Sequence, residues 1–229
     1  MSNSTLSISS ISKKIILACA GLFLICFLLV HLGINLFLLP ITKDHEEIFT
    51  EAAHFMGTNL FIKAFEIVLF AAFVIHIIYA IILQLQNWKA RGHAYKVFTK
   101  SKTSFLSKYI IYSGLLIFLF LLLHFYQFYF IKLGWVSAPA LANIPSPQEE
   151  HFYSIAKYLF ANDFVYSILY IVAFIILGLH LNHAFQSAFQ TLGLNHSKYT
   201  PFIKALGTVY AFIIAIGYSI IPIYFMIWG

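Results

Sequence analysis

The chain has 229 residues, of which 61% are hydrophobic and 10% are charged, and its formal net charge is +6. A soluble domain carries about 25% charged residues, so this composition excludes a large water-soluble domain. Apolar runs of about 18 residues or more recur along the whole length, which is typical of membrane-spanning helices. We therefore expect an all-α integral membrane protein whose water-soluble chemistry is supplied by partners, and we expect no nucleic-acid partner.

Five apolar segments are long enough to cross a bilayer as helices. The first follows Lys13 and Lys14 and is too long for the core of a signal peptide. Pro40 closes this segment and Pro201 opens the last one, in agreement with the poor tolerance of helix interiors for proline. We predict a single membrane domain, residues 1–229, with spans at about residues 15–39, 60–85, 105–131, 164–189 and 202–228.

Two connections on one side of the predicted membrane are long. Residues 41–59 are acidic and contain His45 and His54. Residues 132–163 contain three prolines, followed by a stretch at about 149–160 with the pattern of an amphipathic helix lying on the membrane surface. Long connections of this kind are often functional, so we expect them to cap a site at this face.

The distribution of charge predicts the orientation in the membrane. All eight acidic residues lie on the side of the two long connections or just inside its boundary. The positive-inside rule then places the N-terminus in the cytoplasm and the C-terminus outside. Ten basic residues lie on the predicted cytoplasmic side: Lys13, Lys14, Lys89, Arg91, Lys96, Lys100, Lys102, Lys108, Lys198 and Lys204. Four lie on the other side: Lys43, Lys63, Lys132 and Lys157.

Four histidines lie inside four different spans, where an ionisable side chain is costly and usually functional. At 1.5 Å per residue, His31 and His124 lie about 10–12 Å from the outer ends of their spans. His76 and His180 lie about 13 Å from the inner ends of theirs. Two facing pairs at two depths are what two bis-histidine haems require. We predict that His31 and His124 bind the iron of an outer haem and that His76 and His180 bind that of an inner haem.

Other readings stay open for individual residues. A single intramembrane histidine often only hydrogen-bonds to a neighbouring helix. His183 lies three residues after His180 on nearly the same face, so it is an alternative ligand or a supporting residue. Glu66, near the outer end of the second span, is either a proton relay or a side chain that reaches into the interface. The quinone-binding residues cannot be read from these patterns.

The stretch His180–Gly193 resembles the fourth-helix motif of the di-haem cytochrome b anchors of bacterial succinate:quinone oxidoreductases, which include succinate dehydrogenases and fumarate reductases. In that family the first histidine of the motif is a haem ligand, which favours His180 over His183. The similarity covers nearly the whole chain. It extends to Gly21–Leu24 with His31 and Asn35, to His76 with Asn87–Arg91, to Gly114 with His124, and to Gly217 with Pro222.

This resemblance implies a five-helix anchor with two haem b groups and a quinone substrate, which we expect to be menaquinone. The implied partners are a flavoprotein subunit and an iron–sulfur subunit on the cytoplasmic face of the bacterial inner membrane, together with membrane lipid. The anchor would pass electrons between the iron–sulfur subunit and the quinone through the two haems. Succinate or fumarate would be converted in the flavoprotein, with no such site in this chain.

Two alternatives compete with this interpretation. The first is the haem b anchor of another quinone-linked complex, of the nitrate reductase, formate dehydrogenase or hydrogenase type, which the co-purifying subunits would distinguish. The second is a haem-free transporter or proton-relay protein. That class predicts a colourless protein with internal repeats, and the sequence has no clear inverted repeat and no span broken at the bilayer midplane.

Overall fold

The computed structural model describes residues 9–91, 105–137 and 151–229. These residues form helices and turns, and no strand occurs among them. Five helical segments are long and apolar enough to cross a membrane, namely Ser10–Leu38, Leu60–Lys89, Tyr109–Lys132, Phe164–Thr191 and Thr200–Trp228. The predicted all-α, five-span membrane fold is therefore confirmed. The side of the membrane on which each terminus lies stays a prediction.

The helices are labelled in chain order. They are α1 (Ser10–Asn35), α2 (His45–Thr58), α3 (Leu60–Arg91), α4 (Phe105–His124), α5 (Phe130–Lys132), α6 (Phe152–Asn162), α7 (Phe164–Thr191) and α8 (Thr200–Trp228). A 3-10 turn at Leu36–Leu38 extends α1, and a π-helical turn at Phe125–Tyr129 joins α4 to α5. Helices α1 and α3 each extend several residues beyond the predicted spans, because the polar residues at their basic ends continue the helix instead of ending it.

Polar side chains fix the points at which α1, α3 and α7 begin. The Ser9 hydroxyl accepts a hydrogen bond from the Ser12 backbone N–H at 3.1 Å. Asn59 accepts from the N–H of Phe61 at 2.9 Å, and Asp163 accepts from the N–H of Val165 at 3.0 Å. Each bond satisfies a backbone donor that has no partner within its own helix.

Helices α1, α3, α4 and α7 form a four-helix bundle. Helix α1 packs against α3 and α7, α7 packs against α4, and α3 and α4 barely touch. The pairs α1/α4 and α3/α7 therefore lie across the diagonals of the bundle. Helix α8 packs extensively along α7 and also contacts α1, so the fifth span covers one side of the bundle. Most of the buried hydrophobic core lies between α1, α7 and α8.

Close packing and two tyrosines join α8 to its neighbours. A Cβ atom at Gly178 of α7 would lie only 2.8 Å from the Ala215 Cβ atom of α8, so the two backbones approach too closely for a larger residue. The hydroxyl of Tyr210 donates to the Ile25 carbonyl of α1 at 2.6 Å. That of Tyr218 donates to the Leu28 carbonyl at 2.9 Å.

The two ends of the bundle differ in charge. We call the end where α1 begins the basic end and the opposite end, which carries α2 and α6, the acidic end. Exposed aromatic side chains mark both ends: Trp88 and Tyr199 lie at the basic end, and Trp135 and Trp228 lie at the acidic end. Aromatic residues at these levels are typical of the two membrane–water interfaces.

Two short helices cover the acidic end. Helix α2 lies within the connection at residues 41–59, where no helix was predicted from the sequence. Helix α6 corresponds to the amphipathic helix predicted at 149–160, of which residues 149 and 150 lie outside the described residues. It packs against α7 and α8 through Ile155, Ala156 and Phe160, which are buried. Its apolar side thus contacts the bundle itself.

A polar cluster links these two helices. His45 Nδ1 lies 3.2 Å from the Phe37 carbonyl oxygen, and the His45 ring lies 5.7 Å from the ring of Tyr153 in α6. The Tyr153 phenol lies close enough to the Glu46 carboxylate to interact with it. Partial burial and the nearby Glu46 carboxylate raise the pKa of Tyr153, because both favour the neutral phenol. The cluster fastens both helices to the acidic end.

Candidate functional site

The structure places the four intramembrane histidines as two pairs across the bundle diagonals. His31 of α1 lies beside His124 of α4, with the ring centroids 6.0 Å apart and the ring planes at 79°. His76 of α3 and His180 of α7 lie close enough to interact electrostatically. All four imidazoles are half-buried. The histidines that lie together in the structure are therefore the ones that were paired by their predicted depth in the membrane.

The spacing of the His31–His124 pair fits two ligands of one metal ion. A metal–imidazole bond is about 2 Å long, so two imidazoles that bind one ion from opposite sides have their coordinating nitrogens about 4 Å apart. Each ring centroid lies about 1 Å farther from the ion than its coordinating nitrogen does. The expected distance between the two centroids is therefore a little over 6 Å, close to the observed 6.0 Å. The distance between the two rings is therefore compatible with two ligands of one ion.

Aromatic rings and an amide hold the His31 side chain. The Phe27 ring, one helical turn earlier, stacks on the imidazole at 5.2 Å with an interplanar angle of 16°. Tyr218 of α8 lies 6.0 Å away on another side. Asn35 donates from its side-chain amide to the His31 carbonyl at 2.8 Å, and the same nitrogen lies 3.4 Å from His31 Nδ1. The ring plane is therefore fixed by side chains from two helices.

A serine and a glycine of α4 hold the His180 side chain. His180 Nδ1 lies 3.0 Å from the Ser113 hydroxyl oxygen, and that hydroxyl donates its hydrogen to the Ile110 carbonyl at 2.9 Å. Ser113 thus accepts from a protonated Nδ1, which leaves the Nε2 lone pair free for a metal. A Cβ atom at Gly114 would lie 3.6 Å from His180 Cε1, so this glycine lets the imidazole lie close to α4.

His76 lies in a similar position against α1. A Cβ atom at Gly21 would lie 3.4 Å from His76 Cε1. The buried His76 Nδ1 atom makes no hydrogen bond to any described residue, although the nearby Leu17 carbonyl interacts with it. A small adjustment would allow Nδ1–H to donate to this carbonyl. The arrangement would then match that of His180, with Nε2 again free for a metal.

Taken together, these features fit two planar metal cofactors that each bind two histidines. Within the described ranges no group of three or more His, Cys, Asp or Glu side chains is arranged to hold a metal ion. A haem requires only two protein ligands, because the porphyrin supplies the other four. Two histidine ligands per site are therefore compatible with a haem, and at the His76–His180 pair glycines lie beside both imidazoles.

The structure also locates His183 and Glu66. His183 is half-buried on α7 and lies close enough to His180 to interact with it electrostatically. Glu66 accepts a hydrogen bond from the Tyr129 hydroxyl at 2.7 Å and forms an ion pair with Lys132 at 3.5 Å. The Glu66 side chain is 24% exposed, so this acid is held by partners near the acidic end.

Several contacts of the site were not predicted from the sequence. The partners of the imidazoles, Ser113 and Tyr170, come from other helices and lie 67 and 46 residues away along the chain. Tyr129 and Lys132 as partners of Glu66 were missed for the same reason. The one available signal was that serine, tyrosine and glutamine are rare inside such apolar segments and need hydrogen-bond partners there.

Comparison with protein-family models, with curated proteins and with solved structures gave no match. The fold and the site by themselves define a multi-pass membrane protein with two pairs of histidines inside its bundle.

Proposed function

We propose that this chain is the membrane anchor and electron-transfer subunit of a succinate:quinone oxidoreductase in the bacterial inner membrane. The observation that carries the proposal is the pairing of four intramembrane histidines, from four helices, across the two diagonals of one bundle. The resemblance of His180–Gly193 to the fourth-helix motif of the di-haem anchors supports the particular complex.

Each histidine pair would hold one haem b. When bound, the haem iron alternates between the ferric and ferrous states and so takes up or releases one electron. The protein orients the ligands: Ser113 holds His180, and Phe27 with Asn35 holds His31. The apolar core between α1, α7 and α8 extends to Phe120 and Leu123 of α4, on the two turns that precede and include His124.

The two ends of the bundle suit different partners. The basic end would face the cytoplasm and bind the iron–sulfur subunit, with the flavoprotein subunit attached to it. The quinone, which we expect to be menaquinone, would react nearer the acidic end. Glu66, bonded to Tyr129 and Lys132, is the candidate that would move protons for this reaction. Succinate or fumarate would be converted in the flavoprotein subunit.

The test is purification of the chain, with its partners, from its own membranes in mild detergent. The proposal expects a flavoprotein and an iron–sulfur subunit in the complex, together with electron transfer between succinate and a quinone analogue. Subunits of a nitrate reductase, formate dehydrogenase or hydrogenase would instead assign the chain to another quinone-linked complex. A colourless chain without partners would favour a haem-free proton-relay protein.

A further inference from the structure

Two buried polar side chains, Tyr170 and Gln127, connect His124 to the π-helical turn that follows it. The Tyr170 hydroxyl of α7 donates to the side-chain oxygen of Gln127 at 2.6 Å. The same hydroxyl oxygen lies 3.4 Å from His124 Nδ1. Tyr170 is only 2% exposed and Gln127 only 8% exposed. Polar groups buried this deeply inside a membrane bundle are costly unless their hydrogen bonds are satisfied.

The direction of the bonds follows from the number of hydrogens available. A tyrosine hydroxyl has one hydrogen, and Tyr170 gives it to Gln127. Toward His124 the same hydroxyl offers a lone pair, so Nδ1 of His124 carries the hydrogen. The lone pair of the imidazole is then on Nε2, the nitrogen left free for a metal. Gln127 therefore sets the tautomer of His124 through Tyr170.

The backbone holds this chain in place. Phe125–Tyr129 forms a π-helical turn that begins directly after His124. Turns of this type usually contain one extra residue and often occur at functional sites. The Tyr170 ring is fixed by edge contacts with Phe120 at 4.9 Å and Phe160 at 5.0 Å. The hydroxyl therefore has little freedom to turn toward another partner.

We propose that Tyr170 and Gln127 are positioning residues for His124. Together they fix the tautomer and orientation of the imidazole, and Tyr170, by accepting a hydrogen bond from Nδ1, makes it a more electron-rich ligand. A more electron-rich ligand stabilises ferric over ferrous iron, so this hydrogen-bond chain lowers the reduction potential at the His31–His124 site alone. This inference rests on the proposed function.

The experiment is a redox titration of the purified complex carrying Tyr170→Phe. Optical and electron paramagnetic resonance spectra are recorded at each potential. We expect two haems per chain to assemble, with one midpoint potential raised and the low-spin ferric signal of that haem changed. The other haem should keep its wild-type values. Loss of a residue that orients a ligand typically weakens metal binding on the order of 10-fold or more, so the affected haem should also be lost faster to apomyoglobin.

Two further variants separate positioning from packing. Gln127→Met removes the acceptor without changing the Tyr170 ring, and it should move the same potential in the same direction. Tyr210→Phe is the matched control, because it also removes a tyrosine hydroxyl bonded at 2.6 Å, in this case a partly buried one that donates to the Ile25 carbonyl of α1. It should move neither potential.

The outcomes distinguish this inference from the function on which it rests. Wild-type complex without haem would overturn both. Wild-type complex with two haems, but unchanged potentials in both Tyr170→Phe and Gln127→Met, would overturn this inference alone. An equal shift in Tyr210→Phe would overturn it as well, because loss of any buried hydroxyl would then produce the effect.

Discussion

Gly21 of α1 lies directly against the imidazole of His76 of α3, and a Cβ atom at Gly21 would be 3.4 Å from His76 Cε1. Gly114 of α4 has the same relation to His180 of α7, at 3.6 Å. In both cases the carbonyl that interacts with the imidazole belongs to the residue four positions before the glycine. The His76–His180 site thus contains the same arrangement twice. In each case a glycine of one helix leaves room for the imidazole of a neighbouring helix.

Replacing Gly21 by leucine should prevent haem binding at this site. The leucine side chain would occupy the space next to the His76 ring, whereas the single methyl group of Gly21→Ala would make an ordinary contact at 3.4 Å. We expect one haem per chain in Gly21→Leu and two in Gly21→Ala, measured by pyridine haemochrome. Gly33→Leu is the control, because no described atom lies within 4 Å of a Cβ atom there. Two haems in Gly21→Leu would contradict the role of the glycine.

Removal of the Ser113 hydroxyl should destabilise the protein, whereas removal of the Ser219 hydroxyl should not. Ser113 bonds both His180 and the Ile110 carbonyl, and a hydrogen bond contributes about 1 kcal/mol net. The buried Ser219 hydroxyl oxygen has no hydrogen-bond partner among the described residues. Its loss should be neutral or should stabilise the fold, since an unsatisfied group costs about 1–3 kcal/mol. The test compares the free energies of unfolding of Ser113→Ala and Ser219→Ala with that of the wild type in mixed detergent micelles. A larger loss of stability in Ser219→Ala than in Ser113→Ala would contradict this prediction.

The sequence was sufficient to predict the five spans because their signal is local. Length and apolar composition decide whether a segment can cross a bilayer, and prolines mark two boundaries. Helix α2 was missed because its 14 residues include His45, Glu46, Glu47 and Glu51, so its composition resembles that of a solvent-exposed connection. It forms where packing against α6 and the end of α1 stabilises it. Contacts of this kind depend on the tertiary structure.

Glu66→Gln should slow electron transfer to the quinone without loss of haem. The amide would keep a hydrogen-bond acceptor for Tyr129 but could not carry a proton. We expect lower succinate–quinone turnover, with unchanged electron transfer from succinate to a water-soluble acceptor. Lys132→Met is the matched control, since it breaks the ion pair but leaves the carboxyl group. Equal turnover in Glu66→Gln and wild type would show that Glu66 does not carry protons for this reaction.

The stability of the acidic end should fall at high pH through Tyr153. In an unfolded chain a tyrosine loses its proton near pH 10. Burial and Glu46 raise the pKa of Tyr153 in the folded protein. Above about pH 10 the unfolded state therefore binds fewer protons than the folded state, and stability decreases as the pH rises.

Tyr153→Phe tests this dependence. The variant should lose about 1 kcal/mol or less at pH 7, because the interaction of the phenol with Glu46 is only partly buried. It should also show a shallower decline in unfolding free energy between about pH 10 and 11.5 than wild type does. Glu46→Gln should likewise reduce the slope. Parallel pH profiles for Tyr153→Phe and wild type would show that Tyr153 does not contribute to this decline.

The depth of each histidine could be predicted from the rise per residue, whereas its immediate partners could not. Pairing by depth requires only the helix ends and 1.5 Å per residue. The contacts of His124 with Tyr170, and of Tyr170 with Gln127, depend on the rotation of α7 against α4 and on a π-helical turn. Neither is visible in an apolar segment whose composition is similar on every face.

A haem count on wild-type protein tests the central proposal most directly. The chain would be purified with its partner subunits from its own membranes, and haem b per chain would be measured from the pyridine haemochrome spectrum. We expect two haems per chain in the wild type and one in either His31→Ala or His180→Ala. Wild-type protein with no haem b would contradict the account, and the paired histidines would then need another role.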